Sequence, residues 1–183
     1  MEKNILVMTG SPRINGNTAK LANSFIEGAL SAGHKVHKYE AAHERIHGCR
    51  ACNKCWSTGN PCVQLDEFNE LAKHLEAADV IVLASPVYWG SFPAQLKTII
   101  DRTYSYVVPW RQRTLEGKRL ILLSCGDSED ISAFAEITRL CEGYASYMKW
   151  TIGDHITIPQ MVNPDDILKT DALTEAYSLG KNL

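Results

Sequence analysis

Five short apolar runs, each followed by an amphipathic stretch, set the strongest limit on what this chain can fold into. NILVMTG (4–10), HKVHKYEAA (34–42), VIVLASPVY (80–88), RLILLSC (119–125) and KWTIGDHITI (149–158) have the length and composition of strands. Between them, apolar residues recur at helical spacing. Leu21, Ala22, Phe25, Ile26 and Ala29 mark one helix ending at Gly33, and DEFNELAKHLEAA (66–78) marks a second with Asp66 as its cap. A third opens with Pro93 and buries Leu96, Ile99 and Ile100, and a fourth has the stripe Ile131, Phe134, Thr138, Cys141 and Ala145. DALTEAYSLGKNL closes the order with a fifth. This alternation predicts an α/β fold: a five-stranded parallel sheet with helices on both faces, a three-layer α/β/α sandwich. VIVLA is the most apolar run and is expected at the sheet centre. A length of 183 suits one domain, 1–183. The segment 43–65 is too long for an ordinary connection and reads as a cysteine-rich insert.

The charge balance narrows the partners. Lys plus Arg at 19 against Asp plus Glu at 21 gives −2, and no basic block is long enough to follow a phosphate backbone, which argues against nucleic acid. The longest apolar runs fall far short of the ~20 residues that span a bilayer, so no membrane role is expected. MEKNILVMTG lacks signal-peptide architecture, making the cytoplasm the expected compartment and structural disulfides among the six cysteines unexpected.

In a doubly wound sheet, ligands bind beyond the carboxyl ends of the strands. Three loops therefore matter. GSPRINGNT (10–18) offers backbone amides at a helix start with the Ser11 and Thr18 hydroxyls and Asn17, a set that can wrap a phosphate without metal. It lacks both the GK[ST] ending of a triphosphate loop and the GxGxxG spacing of a dinucleotide fold, so a monophosphate fits better than ATP or NAD. An ordinary βα turn with Asn17 and Thr18 as caps is the alternative. SPVYWGSFP (85–93) places Tyr88 and Trp89 before Gly90, where they can lie against a planar heterocycle and backbone amides can bind the pyrimidine edge of an isoalloxazine. Plain packing of these aromatics is the alternative. SCGDSED (124–130), with Gly126 and Asp127, can close the other side of such a ring. Asp127 and Asp130 equally suit the start of the fourth helix, and Cys125 reads as a small core residue.

Together GSPRINGNT, SPVYWGSFPAQLKTIIDR and KTDALTEAYSLGKNL resemble the flavodoxin-like NAD(P)H-dependent FMN reductase family over essentially the whole chain. The resemblance implies an FMN phosphate at Ser11, Arg13, Asn15, Asn17 and Thr18 and an isoalloxazine held by Pro86, Val87, Tyr88, Trp89 and Gly90. It also implies a homodimer or homotetramer with the flavin near a subunit interface.

Cys49, Cys52 and Cys55 form C-x2-C-x2-C, and Cys62 follows after six residues. Three thiolates at that spacing can wrap one corner of a cubane and the fourth can close it. This resembles the iron-sulfur flavoprotein branch of the same family, which implies a 4Fe-4S cluster on these four residues. Arg50 and Lys54 can offset the thiolate charge or simply be solvated. Zinc on the thiolates, with His43 and His47 as further donors, remains open, as does a metal-free loop of free or redox-sensing thiols. His34, His37, His74 and His155 are scattered and are given no role.

The expected activity is FMN-dependent oxidoreduction. NAD(P)H or a reduced carrier supplies electrons, and a small molecule or a ferredoxin-like protein receives them. No residue is expected to act as a nucleophile. The rivals are an electron carrier like a flavodoxin, which the charge of −2 fits poorly, and an FMN-binding regulatory protein with a zinc loop.

Overall fold

Side chains along the strands alternate between two separate cores, one on each face of the sheet. The computed structural model describes residues 1–107 and 113–183. Its strands, β1 (Asn4–Thr9), β2 (Lys35–Glu40), β3 (Val80–Pro86), β4 (Arg119–Cys125) and β5 (Thr151–Ile158), form one parallel sheet in the order β2-β1-β3-β4-β5. Ile5, Val7, Val82, Ala84, Ile121 and Leu123 face one core, while Leu6, Met8, Ile81, Leu83, Leu120 and Leu122 face the other. Both faces are thus apolar, as a parallel sheet requires.

Helices cover each face. α1 (Asn17–Ser31) and α6 (Ala172–Lys181) enclose the first core with Leu21, Phe25 and Ala176. The insert contributes α2 (Cys55–Thr58), a single turn. α3 (Phe68–Ala77), α4 (Ala94–Arg102) and α5 (Ala135–Met148) enclose the second core with Phe68, Leu75, Leu96, Ile99, Ile137 and Cys141. The result is the expected three-layer sandwich with the flavodoxin-like strand order. Val80–Ser85 is wholly buried in mid-sheet.

One helix differs from its expected phase. Between β4 and α5 the chain first makes a 3₁₀ turn (Ile131–Phe134), held by Asp130, whose carboxylate accepts from Ser132 N at 2.8 Å. Three residues per turn instead of 3.6 rotate the register. Ile131 therefore points outward at 55% exposure and Thr138 is only half-buried, while Phe134, Ile137, Cys141, Ala145 and Met148 form the buried stripe. Among the described residues no helix is long and apolar enough to cross a membrane.

α1 and α6 pack backbone to backbone. A Cβ on Gly28 would fall 2.0 Å from Tyr177 O, and one on Gly180 would fall 2.1 Å from Phe25 O. Gly28→Ala is expected to lower stability by about 3 kcal/mol through this overpacking. Gly143→Ala, at an exposed α5 position with open space, should raise it by about 0.5–1 kcal/mol. Urea unfolding of the two variants checks both signs.

Candidate functional site

Strand order reverses at β1, whose neighbours β2 and β3 are reached in opposite directions, and a crevice opens there at the carboxyl ends. Backbone bonds that continue past the strand ends hold its walls. Gly10 N donates to Ala84 O (2.8 Å), Val87 N to Cys125 O (2.9 Å), Gly126 N to Ile158 O (3.0 Å) and Met161 N to Gly126 O (2.8 Å). They frame a cavity of about 260 Å³. Ser11, Arg13, Gly16, Asn17 and Thr18 line it from the first loop, and Pro86, Val87 and Tyr88 from the second. Cys125, Gly126 and Asp127 line it from the third, and Met161 and Val162 from the segment after β5.

The first loop is pre-shaped. Ser11 Oγ accepts from Arg13 N at 3.2 Å, Gly16 N donates to Arg13 O at 3.1 Å, and α1 opens immediately after. The amides of that first turn have no partner within the helix, and Gly16, Asn17 and Thr18 line the cavity, where an anion suits such amides. Thr18 is buried beside them. The Asn17 side chain is engaged elsewhere. Its Nδ2 donates to Asn163 O (2.8 Å) and its Oδ1 accepts from Ile167 N (3.4 Å). It braces the segment after β5, so the contribution of Asn17 to an anion rests on the backbone amide. Asn15 is exposed, its carbonyl accepting from Lys20 Nζ at 2.5 Å, and it lies outside the cavity lining.

Trp89 and Gly90 also lie outside that lining. They are the two central residues of a tight turn closed by reciprocal bonds between Tyr88 and Ser91 (2.9 and 3.0 Å), with φ of 51° and 72°. Positive φ at both positions is the type I′ geometry, which glycine meets freely and tryptophan meets at a cost of ~1–2 kcal/mol. The Trp89 side chain is fully exposed. Cys125 is in the core, as expected, and also borders the cavity. Burial pushes its thiol up to about 11, opposed by the Thr18 hydroxyl. Asp130 rather than Asp127 caps the following turn, leaving Asp127 at the cavity. Gly16, Met161 and Val162 carry no signal that singles them out in the sequence. The segment holding the last two has no phosphate-like or aromatic pattern and reaches the site only because β5 pairs with β4.

The cysteine insert is anchored at the start of α3 and the end of α4. Asp66 Oδ1 accepts from Phe68 N (3.2 Å), the expected cap, but the same carboxylate also accepts from His47 N (3.0 Å) and pairs with both terminal nitrogens of Arg102 (2.9 and 3.0 Å). The two side chains are 3% and 1% exposed. Arg102 also donates to His47 O (2.6 Å), and its guanidinium lies 4.6 Å from the Phe68 ring centre. Burial alone would raise the Asp66 carboxyl, yet the bonds from Arg102 and His47 hold it below its ordinary value. At the other end of the loop, Cys62 N donates to Asn69 Oδ1 at 3.0 Å.

All four loop cysteines line one small cavity together with Arg102 and Ser105. Ala51 and Asn53, on either side of Cys52, have φ of 50° and 57°. Among the described residues, Arg102 Nε and Ser105 Oγ are buried without a hydrogen-bond partner, and no three His, Cys, Asp or Glu side chains converge on a single metal-ion position.

Residues 3–139 match NADPH-dependent FMN reductase. This chain belongs to that family. An iron-sulfur flavoprotein of Archaeoglobus fulgidus is 31% identical over 169 residues, covering 90% of this chain and 74% of the relative. One from Methanosarcina thermophila is 33% identical over 123 residues, covering 67% of this chain and 63% of the relative, so the match spans less than two thirds of that protein. An NAD(P)H:quinone oxidoreductase from Methanothermobacter marburgensis shares the fold with a TM-score of 0.79 at 18% identity, covering 100% of this chain and 96% of that one.

A member of the NADPH-dependent FMN reductase family is an FMN-dependent oxidoreductase, and the cleft fits the cofactor's phosphate: amides at a helix start, a hydroxyl-bearing turn and no acidic residue in the first turn of α1. The cysteine loop fits a thiolate-bound group by its donor set, by two unpartnered buried donors at the cavity and by left-handed residues of the kind that build anion-binding concavities. In metal-free protein the six thiols should fall into three classes. Exposed Cys49 and Cys52 react first with iodoacetamide at pH 8. Cys55 and Cys62 follow, Cys55 slowed because burial and then Cys62 raise its pKa. Cys125 and Cys141, pushed up by burial to about 11 and about 12, react only on unfolding. Mass-spectrometric timing of the adducts reads the order.

Proposed function

We propose that this enzyme takes electrons from NADPH, NADH or a reduced carrier through FMN and passes them to a small-molecule or ferredoxin-like protein acceptor. In this reading the loop thiolates Cys49, Cys52, Cys55 and Cys62 hold a 4Fe-4S cluster as a one-electron port. The observation that carries it is the pairing of two sites: a cleft at the strand reversal that includes the start of α1, and a four-cysteine cavity at the far end of α4. The names of the Archaeoglobus and Methanosarcina relatives support the cluster.

When bound, FMN accepts an electron pair and releases it singly or in pairs, and a cluster moves single electrons. The chain's own part is placement. Ser11, Arg13 and the first amides of α1 bind the phosphate, the 86–88 backbone holds the ring edge with Gly126 and Asp127 opposite, and Met161 and Val162 exclude water from one wall. In this reading the nicotinamide reaches the ring directly and alternates there with the acceptor. The Trp89 turn carries backbone strain, and its exposed ring is a surface for a planar reactant or a second copy, in line with a homodimer or homotetramer. Free thiols throughout suit a reducing cytoplasm.

Ser11→Ala should weaken FMN about tenfold, about 1.5 kcal/mol, while leaving riboflavin, which lacks the phosphate, unchanged. Equal losses for both flavins in a fluorescence titration would remove the phosphate assignment. Protein purified without oxygen should show flavin bands over broad iron-sulfur absorbance, with iron and acid-labile sulfide, and bleach on mixing with NADPH, NADH or reduced ferredoxin. Zinc without sulfide would convert the loop to a structural site, and a flavin that none of the three donors bleaches would count against the reductase reading.

A further inference from the structure

The Asp66–Arg102 pair is hidden almost entirely from water, and burying two charges costs more than a surface pair returns. Its placement gives the cost a purpose. Arg102 is the last residue of α4, whose first residues follow the Pro86–Tyr88 loop of the flavin cleft. Its two terminal nitrogens are held by Asp66 and by the His47 carbonyl, two residues before Cys49. Its Nε is buried without a hydrogen-bond partner among the described residues, and Arg102 lines the cavity that all four cysteines line. The Cys62 sulfur lies beside the guanidinium. The cation is permanent and cannot swing away, because the carboxylate fork and the Phe68 ring hold it from two sides.

We propose that Arg102, oriented by Asp66, is a positioning residue that sets the reduction potential of the group held by the loop cysteines. This rests on the cluster reading above. Reduction adds one negative charge to an already anionic thiolate cage, and a fixed, desolvated cation at its wall favours the reduced form. Lysine keeps the charge and loses the fork, glutamine loses the charge, and Asp66→Asn keeps the cation while removing its counter-charge.

Wild type, Arg102→Lys, Arg102→Gln and Asp66→Asn are reconstituted anaerobically as full chains with iron and sulfide. Iron and acid-labile sulfide per chain are measured, and the midpoint potential is read by EPR-monitored redox titration. In Arg102→Gln the reduced-to-oxidised ratio at fixed potential should fall about tenfold, about 59 mV for one electron. Asp66→Asn should shift the potential the opposite way, and Arg102→Lys should stay near wild type. A purely structural pair would lower cluster content in both charge variants and leave the surviving cluster's potential unmoved, which overturns the proposal. If Arg102→Gln holds no cluster, Asp66→Asn decides: an upward shift sustains the proposal and an unmoved or lowered potential overturns it. Wild type without iron and sulfide overturns the cluster reading and this inference with it. A fully loaded wild type beside an unmoved Arg102→Gln potential overturns the inference alone.

Discussion

Parallel strands cannot be joined by a tight hairpin, so every strand here must be returned by a crossover that packs on one face of the sheet. The cleft follows from that constraint. The constraint buries both faces, which is why Val80–Ser85 is apolar or shielded throughout. It also delivers the loops after β1, β3, β4 and β5 to the same edge, where the order β2-β1-β3-β4-β5 splits the crossovers and leaves a crevice. The four bonds from Gly10, Val87, Gly126 and Met161 extend the ladder beyond the strands and make the crevice walls part of the sheet.

Placing the cysteine loop away from that crevice sets a different physical problem. An insert of polar and cysteine residues has little apolar surface to bury, so its position depends on polar anchors. Asp66, Asn69 and Arg102 supply them, two from the start of α3 and one from the end of α4. The aromatic contact of Trp56 with Tyr104, 5.8 Å between ring centres, fastens the single turn α2 to the segment that follows α4. α4, nine residues and ~13 Å long, thereby links the Pro86–Tyr88 cleft loop to the four-cysteine cavity.

The two sites also differ in where strain resides. Around the cleft, left-handed residues sit at the Trp89–Gly90 turn and at Gln160 beside Met161, while the first loop is internally bonded. In the cysteine loop strain lies between the cysteines, at Ala51 and Asn53 on either side of Cys52.

The sequence by itself determined the layered fold, the strand bounds to within a few residues, the three cleft loops and the spacing of the four cysteines. These are local signals, written in period-two and period-3.6 patterns and in short motifs. Only the tertiary structure decided the phase of α5, which a single 3₁₀ turn rotated so that Ile137 replaced Ile131 and Thr138 against the core. Only it sent the Asn17 side chain to Asn163 and Ile167, brought Met161 and Val162 into the cleft, and turned Trp89 outward. It also made Asp66 more than a helix cap. Its partner lies 36 residues away on another helix, and no periodicity carries information about a contact across that separation. Local patterns record which face of an element is buried, whereas a polar residue's partner is chosen by packing, after the elements are already in place.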